Sequence, residues 1–577
     1  MKAALLLITN FYCCVLAMAS APVQLKKGMV ITASVKVLKK NYTITADTSL
    51  SVPVIVIRGH NITVDFNNAV LNGAVAGMAP DEFSGLAVYI EPGSTNITIR
   101  NLVVRGYQVG IMAKGVTNLT ISGSDCSYNR RQRLHSNRLR EDVSDWMSFH
   151  HNENDEWLRY GAAIYLRDCD YAVIRKNKVT GGQCALMMTG CDYGMITDNN
   201  FSFNSAIGIG MYRCNNNQVY RNNLDFNVRG FSFGKYYRGQ DSAGILVFEQ
   251  SSNNVFGWNS ATHSGDGFFL WAGQTTMDSG EGGSNNNFLY RNDFSYAPTN
   301  GIEVTFSRNV ITGNTIEGCD HGIWGGYSYL TSISGNSFAG NRVAIAIEHG
   351  QDISISANRF SKDREGIRLW ARSSQPADWI YAQKRNTESR NYTIALNRFD
   401  SVQLVFNFAR TSAIQPYQNK IFHAGQVLKT DSLTELLDEK GFNLVDSSFT
   451  DAQLKVIRKQ MTLPRQQFPK GRKEMRINEW GPYNFSYPLL WLTDVDSSGI
   501  YHFEISGAAG KTPLVAAEGF HILTQRANEI TARADSNEQY RSIWLKYEGK
   551  PYIDQFGNRK TKGSRFGYSE FDPRTSW

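Results

Sequence analysis

The feature that most restricts the fold of this 577-residue chain is an asparagine that returns two residues ahead of an apolar side chain. It stands at Asn177, Asn199, Asn222, Asn259, Asn292, Asn314, Asn336, Asn358 and Asn397. The intervals are 22, 23, 37, 33, 22, 22, 22 and 39, so the longer ones read as the same unit carrying an insertion. A period near 22 is too short for a helical hairpin repeat and matches one coil of a parallel β-helix, each turn of chain stacking on the last. "NITVDF", "NITIRN" and "NLTISG" continue the pattern upstream, so the repeat runs from about residue 50 to 410. In such a coil, equivalent amides stack at about the 4.8 Å strand spacing and satisfy turn carbonyls. The Asn-x-Thr triplets at Asn61, Asn96, Asn118 and Asn391 then read as turn-to-strand signals rather than glycan acceptors. Cys169, Cys191 and Cys214 share one position in three successive coils, which predicts a buried thiol stack, with a disulfide between adjacent coils as the alternative.

On these repeats the chain resembles the right-handed parallel β-helix superfamily, which includes pectate-lyase-like enzymes, polygalacturonases, alginate epimerases and a periplasmic copper-site maturation protein. The resemblance covers roughly 360 residues and implies an all-β solenoid and carbohydrate chemistry. It carries no catalytic motif with it. The Asp-Pro-His-Asp of alginate epimerases is absent, as are the Asn-Thr-Asp, Asp-Asp, Gly-His-Gly and Arg-Ile-Lys motifs of polygalacturonases. The calcium clusters of pectate lyases have no clear counterpart, and no Met- or His-rich tract on the strands favours the copper-maturation chemistry. "HHNENDE" (His150 to Glu156) could hold a metal but reads better as a solvated loop.

Within the repeat, one strand per coil is apolar on both faces. The rows are "AIYLR", "ALMMT", "GIGMY", "GILVF", "GFFLW", "GIEVT", "GIWGG", "AIAIE", "GIRLW" and "QLVFN". Second and fourth residues (Ile164 and Leu166, through to Leu404 and Phe406) are apolar in nineteen of twenty cases, so they point inward. Third and fifth residues then point out, and they include Tyr165, Arg167, Tyr212, Phe269, Trp271, Glu303, Trp324, Glu348, Arg368 and Trp370. A solvated strand face would be Thr, Ser, Lys and Asn. Aromatic rings mixed with carboxylates and guanidinium groups suit a sugar-binding groove, where rings stack on pyranose faces and charges hold hydroxyls or acids.

Insertions flank both ends of these strands: "RRQRLHSNRLREDVSDWMSFHHNENDEWLRY" and "RGFSFGKYYRGQDS" before them, "GQTTMDSGEGGS" and "SSQPADWIYAQKRNTES" after them. They predict walls around the column. The competing reading is that they shield an apolar strip, or that the C-terminal domain packs there. In the groove, Glu303 and Glu348 lie two coils apart, roughly 10 Å along the axis, and Asp266 sits one coil before Glu303. These three are the candidate acid/base residues of a glycoside hydrolase, with His321 and His349 as proton carriers or binders. The rival enzyme is a uronate lyase or C5-epimerase, in which Arg167, Arg213 or Arg368 neutralises the substrate acid and Tyr165, Tyr212 or His349 moves the proton. A non-catalytic glycan-binding solenoid is the third class. Hydrolysis needs no cofactor; Ca²⁺ enters only with the lyase reading.

The N-terminal "MKAALLLITNFYCCVLAMASAP" has the layout of a secretory signal peptide, ending near Ala19 or Ala21, which implies a periplasmic or extracellular protein. Lys plus Arg exceeds Asp plus Glu by 60 − 52 = 8 with no long basic run, so nucleic acid is not expected, and no later segment could span a membrane. The domain reading is therefore a signal peptide over 1–21, a β-helix over 22–424, a helical and basic linker over 425–475 and a β-rich, sandwich-like domain over 476–577. "DSLTELLDEKGF" predicts a short helix from Asp431 or Ser432 to Gly441. Glu479 and Trp480 are either a second binding site or part of a packed β core. The abrupt end at "FDPRTSW" suggests a chain cut inside this last domain.

Overall fold

Stacked asparagines set the geometry of the solenoid. In the computed structural model, Asn177 Nδ2 donates to Asn199 Oδ1 at 3.1 Å, Asn199 to Asn222 at 2.9 Å and Asn222 to Asn259 at 3.0 Å. The same contact recurs at 3.0 Å from Asn259 through Asn292, Asn314, Asn336, Asn358 and Asn397 to Asn419. The other amide hydrogen goes to a backbone carbonyl, such as Ile174 O for Asn199 at 2.8 Å. Every polar atom of this buried column is thereby satisfied within the protein, which the low-dielectric interior requires. Asn61, Asn96, Asn118 and Asn391 take left-handed backbone at φ 57, 54, 57 and 60°, as their short side chains permit. Asn118 stands in the turn before its strand, as read, whereas Asn61, Asn96 and Asn391 stand inside the first residues of theirs.

The structure describes residues 21–136, 141–229, 239–438, 442–444, 468–507 and 510–571; residues 1–20, on which the signal-peptide reading falls, and the last six lie outside them. Two long parallel sheets run along the solenoid, one of fifteen strands and one of fourteen, with a shorter third face. The first sheet begins at Met29–Ile31 and ends at Gln426–Thr430, so the coils extend past both the 50–410 repeat and the 424 boundary read from sequence. Ile164, Leu186, Ile209, Ile245, Phe268, Ile302, Ile323, Ile345 and Ile367 are partners in register and carry 0 % exposure. The last coil is shifted: Ile367 pairs with Phe406 and Leu369 with Phe408, not with Leu404 and Phe406. A two-residue slip keeps every side chain on its face, so the inward set was right although the register was not.

Cys169, Cys191 and Cys214 are free buried thiols in one column. The Cys169 and Cys191 N–H groups donate to the next coil's sulfur at 3.4 Å each. Residues 431–438 form turns and a bridge, Ile414 to Leu436, instead of the predicted helix. Asp431 accepts the N–H groups of Arg410 and Leu433 and the Thr434 hydroxyl, which turns the chain into one more coil. No helix among the described residues is long and apolar enough to cross a membrane.

The C-terminal region is antiparallel. Leu489–Val495, Ile500–Ser506, Glu529–Ala534 and Phe520–Gln525 form one sheet, and Leu514–Glu518, Tyr540–Lys546 and Arg565–Phe571 another. Its Met475 and Ile477 pack with Phe203, Phe226 and Val228 of the solenoid, away from the aromatic strand column. Trp480 is buried edge-on against Phe556 under the Arg133 guanidinium, so the packed-core alternative holds for it.

Candidate functional site

The outer face of the first sheet divides into a covered half and an open half. Over the first coils the described residues of the 130–160 insertion fold back onto the strands. Its Trp157, Phe149 and Met147 form a second apolar core with Tyr165, Met187, Tyr212, Leu246 and Phe248. Tyr165 is fully buried, its hydroxyl donating to Asp155 Oδ1 at 2.6 Å, and Tyr212 donates to Glu153. Arg167 pairs with Asp155 at 2.6 Å and Arg213 with Glu153 at 3.2 Å. The shielded-strip reading therefore describes this half, and Tyr165, Arg167 and Tyr212 are bracing residues instead of substrate contacts. "HHNENDE" is solvated only in part: His151, Glu153 and Asn154 are exposed, while Asn152, Glu153 and Asp155 supply the polar contacts that dock the insertion. Asn152 Nδ2 donates to the Thr189 hydroxyl at 2.6 Å.

Beyond Phe248 the cover ends and a cleft of about 470 Å³ opens. Phe269, Trp271, Glu303, Trp324 and Glu348 line it, as expected. His150, Phe306, Tyr327 and Arg372 line it too. His150 comes from the far tip of the insertion and packs on Trp271 at 5.1 Å. Tyr327 follows the Gly325–Gly326 pair, and Arg372 stands two residues past Trp370, so both lie just outside the five-residue rows that the repeat exposes. The strand-end wall is built by two short helices, Gln274–Ser279 and Ile380–Lys384, joined by Arg385 Nε donating to Gly280 O at 2.5 Å.

The three acids occupy three different environments. Glu348, nearly buried, accepts Arg372 Nε at 2.6 Å and Trp370 Nε1 at 3.0 Å. Glu303 lines the cleft and accepts Asn300 Nδ2 at 2.8 Å. Burial, and then the charge of Asp266, push its carboxyl well above the usual carboxylate range. Asp266 is fully buried and does not line the cleft; a Cβ on Gly239 would collide with its carboxylate. Asp266 accepts the Asn300 N–H at 2.8 Å and the Thr299 hydroxyl, and burial raises it to about 7. It therefore cannot touch a substrate, and its sequence assignment as a catalytic acid is corrected to a supporting one.

The remaining candidates stand behind the cleft wall. His321 lies between Asn300 and Arg342, and burial lowers it to about 4. His349 donates from Nδ1 to Thr387 O and accepts the Arg372 N–H at 3.0 Å and Gln375 Nε2 at 2.6 Å. Both its nitrogens are thus engaged in holding the Arg372 loop, with Tyr327 stacked on it at 4.7 Å. Arg368 is held by Glu365, Nε to Oε2 at 2.7 Å. Trp370 packs on Trp324 at 5.5 Å and orients Glu348. Among the described residues, no three His, Cys, Asp or Glu side chains group as a metal shell.

Solved structures with similar coils span different chemistries. The A-module of the mannuronan C-5 epimerase AlgE6 of Azotobacter vinelandii is 12% identical, covering 72% of this chain and 92% of its own, with a TM-score of 0.34. DFA-IIIase of Arthrobacter chlorophenolicus A6, solved with GF2, is 11% identical over 60% of this chain and 81% of its own, with a TM-score of 0.33. The catalytic domain of a GH87 alpha-1,3-glucanase with nigerose is 11% identical over 72% of this chain and 64% of its own, with a TM-score of 0.30. These likenesses concern the coil architecture alone. No curated protein matches the sequence. Residues 40–235 and 236–407, which hold most of the solenoid and every residue of the cleft, match the family described as periplasmic copper-binding protein (NosD), and the chain belongs to that family.

Proposed function

We propose that this protein is an exported enzyme acting on an oligo- or polysaccharide, a glycoside hydrolase with Glu303 as acid and Glu348 as base. The observation that carries the reading is the asymmetry of the two cleft acids. Glu303 is pushed toward its protonated form by burial and by the charge of Asp266, with no cation beside it, whereas Glu348 is paired with the Arg372 guanidinium at 2.6 Å. Two carboxyls set in such different environments are what acid/base glycoside cleavage requires. By register the two residues are two rungs and two positions apart, which places their backbones about 12 Å from each other. Their side chains then span a gap suited to a sugar and a water, the inverting arrangement. Trp271 and Trp324 supply flat faces for pyranose rings. Glu303 gives its proton to the leaving oxygen as the glycosidic bond breaks; water adds to the anomeric carbon and Glu348 takes the water's proton.

A second reading, elimination or epimerisation of a uronate, is favoured by Arg372, which lines the cleft with its side chain 65% exposed and would have to exchange Glu348 for a substrate carboxylate. Arg167, Arg213 and Arg368 are committed to Asp155, Glu153 and Glu365. Ca²⁺ belongs to that reading only.

The family description implies copper, and the donors present do not suit it. The six described cysteines are buried thiols, and the Cys169 and Cys191 sulfurs are raised in pKa inside the core. His321 and His349 spend both ring nitrogens on protein partners. No step above involves a metal. The family's compartment supports export to the periplasm.

A screen of neutral and uronate polysaccharides tests this, reading reducing ends and ultraviolet absorbance together. Reducing ends alone, lost in Glu303→Gln, support the hydrolase. Both signals rising make the protein a lyase, and silence with retained glycan binding makes it a binding module.

A further inference from the structure

Behind Glu303 runs a line of polar side chains that ends on a cation. Arg342 is clamped by Asp320, Nε to Oδ1 at 2.6 Å and Nη2 to Oδ2 at 2.8 Å. Its Nη2 also lies 2.8 Å from His321 Nε2. Guanidinium has only donors and does not lose its proton in a protein. His321 Nε2 must therefore be the bare, accepting nitrogen, and the ring proton sits on Nδ1. That Nδ1 is 3.2 Å from Asn300 Oδ1 and 3.5 Å from Asp320 Oδ2, both acceptors. With its oxygen committed to His321, the Asn300 amide has one orientation. Its NH₂ faces Glu303 Oε2 at 2.8 Å and Asp266 Oδ2 at 3.4 Å. The two ends of an amide are ordinarily hard to tell apart; here the arginine decides between them.

The two carboxyls at the near end are unequally served. Asp266 accepts the Asn300 N–H, the Thr299 hydroxyl and the distant edge of the Asn300 amide, while Glu303 accepts that amide alone. Hydrogen bonds to the charged form favour it, so a single negative charge shared by the pair resides on Asp266 and the proton on Glu303. Glu303 Oε2 is occupied by the amide, which leaves Oε1 to carry the proton.

We propose that Asp266, Asn300, His321 and Arg342 are positioning residues, a one-way chain of hydrogen bonds that fixes the Glu303 carboxyl with its proton-bearing oxygen turned to the cleft. The value of that proton to catalysis rests on the glycoside-hydrolase reading; the chain itself does not. Nothing is relayed along it, because an amide and a neutral imidazole held at both nitrogens only orient. The charged and titratable groups facing His321 are Asp320, Arg342, Arg368 and Glu365, and burial keeps the ring neutral down to about pH 4. The His321 tautomer, and with it the Asn300 orientation, is therefore constant across the neutral range, while Asp266, raised by burial to about 7, gains a proton as pH falls through that value.

The full chain is tested by two spectroscopic readouts. In ¹⁵N-labelled protein the His321 ring, assigned with His321→Asn, should show a protonated Nδ1 and a bare Nε2, and Arg342→Met should admit the reverse tautomer. The protonated-carboxyl infrared band that Glu303→Gln removes should titrate lower by about one pH unit or more in Asp266→Asn, which deletes the neighbouring charge. A wild-type ring protonated at Nε2, or a Glu303 midpoint unmoved by Asp266→Asn, overturns the proposal; the tautomer measurement stands even where a variant fails to fold. Turnover is read separately. Hydrolysis lost in Glu303→Gln with an unmoved midpoint keeps the hydrolase and overturns the support. Both spectra as expected, without turnover on any glycan, keep the support and overturn the hydrolase.

Discussion

Arg372 Nε sits 2.6 Å from Oε1 of Glu348, and the same carboxylate oxygen takes the Trp370 indole N–H at 3.0 Å. One cleft acid is thus held in place by a cation from outside the strand rows, while its counterpart, Glu303, has none.

Removing that cation should cost turnover. Arg372→Met deletes the bond that fixes the Glu348 carboxylate, so kcat should fall by about 10-fold or more with a smaller change in KM. Glu348→Gln should reduce kcat by about 10²-fold or more, the usual worth of a general base. Steady-state kinetics on a responsive glycan check both.

The aromatic lining should matter for binding before it matters for turnover. Trp271→Ala and Trp324→Ala each remove a stacking face and should raise KM with a smaller change in kcat. Tyr165→Phe, under the insertion, should leave KM unchanged and cost about 1 kcal/mol of stability through its lost bond to Asp155.

Buried ionisable groups give two opposite pH dependences. Asp363 is raised by burial to about 7, against an ordinary 3.8. Between those values the unfolded chain has lost the proton that the folded chain keeps, so stability falls as pH rises. Asp363→Asn should improve relative to wild type from pH 4 to 7. His263, stacked between Phe226 and Tyr296, is lowered by burial to about 4. There the unfolded chain gains a proton first, so His263→Phe should improve relative to wild type as pH falls from 6.5 to 4. Melting curves across pH 4–8 give both slopes.

Rungs of the asparagine ladder should be far more sensitive than turn asparagines. Asn336→Ala loses the bonds to Asn358 and Ile311 O and strands the Asn314 N–H in the core. The cost should be about 3 kcal/mol or more. Asn391→Gly, at an exposed left-handed position near the start of a strand, should cost under about 1 kcal/mol because glycine accepts that backbone freely. Denaturant unfolding separates the two. The core thiols should likewise resist alkylation in the native state and react together once the chain unfolds.

The solenoid was legible because its signals are local: a 22-residue amide spacing and an inward pair in each row. Side-chain direction follows from strand parity, so even the last coil, two residues out of register, kept its faces. The site was half legible for the same reason. Phe269, Trp271, Glu303, Trp324 and Glu348 belong to the rows and line the cleft. The fate of Tyr165, Arg167 and Tyr212 depended on where the 130–160 insertion lands, and no periodicity encodes that. Asp266 looked catalytic because sequence shows the coil and not the Gly239 backbone lying over its carboxylate. Arg372 and Tyr327 were missed because they stand one or two residues beyond a row. The NosD family was set aside on its metal donors, although its membership rests on coils and not on donors.

The ladder also has an evolutionary consequence. Each asparagine binds only groups of the coils above and below, and each coil presents the same amide to both neighbours. Any whole coil can therefore be copied or excised with its two new neighbours meeting as the old ones did. Length becomes a quantity that can drift in steps of one coil, while a change of a few residues within a coil is confined to its loops. The insertions that build the cleft are of that second kind.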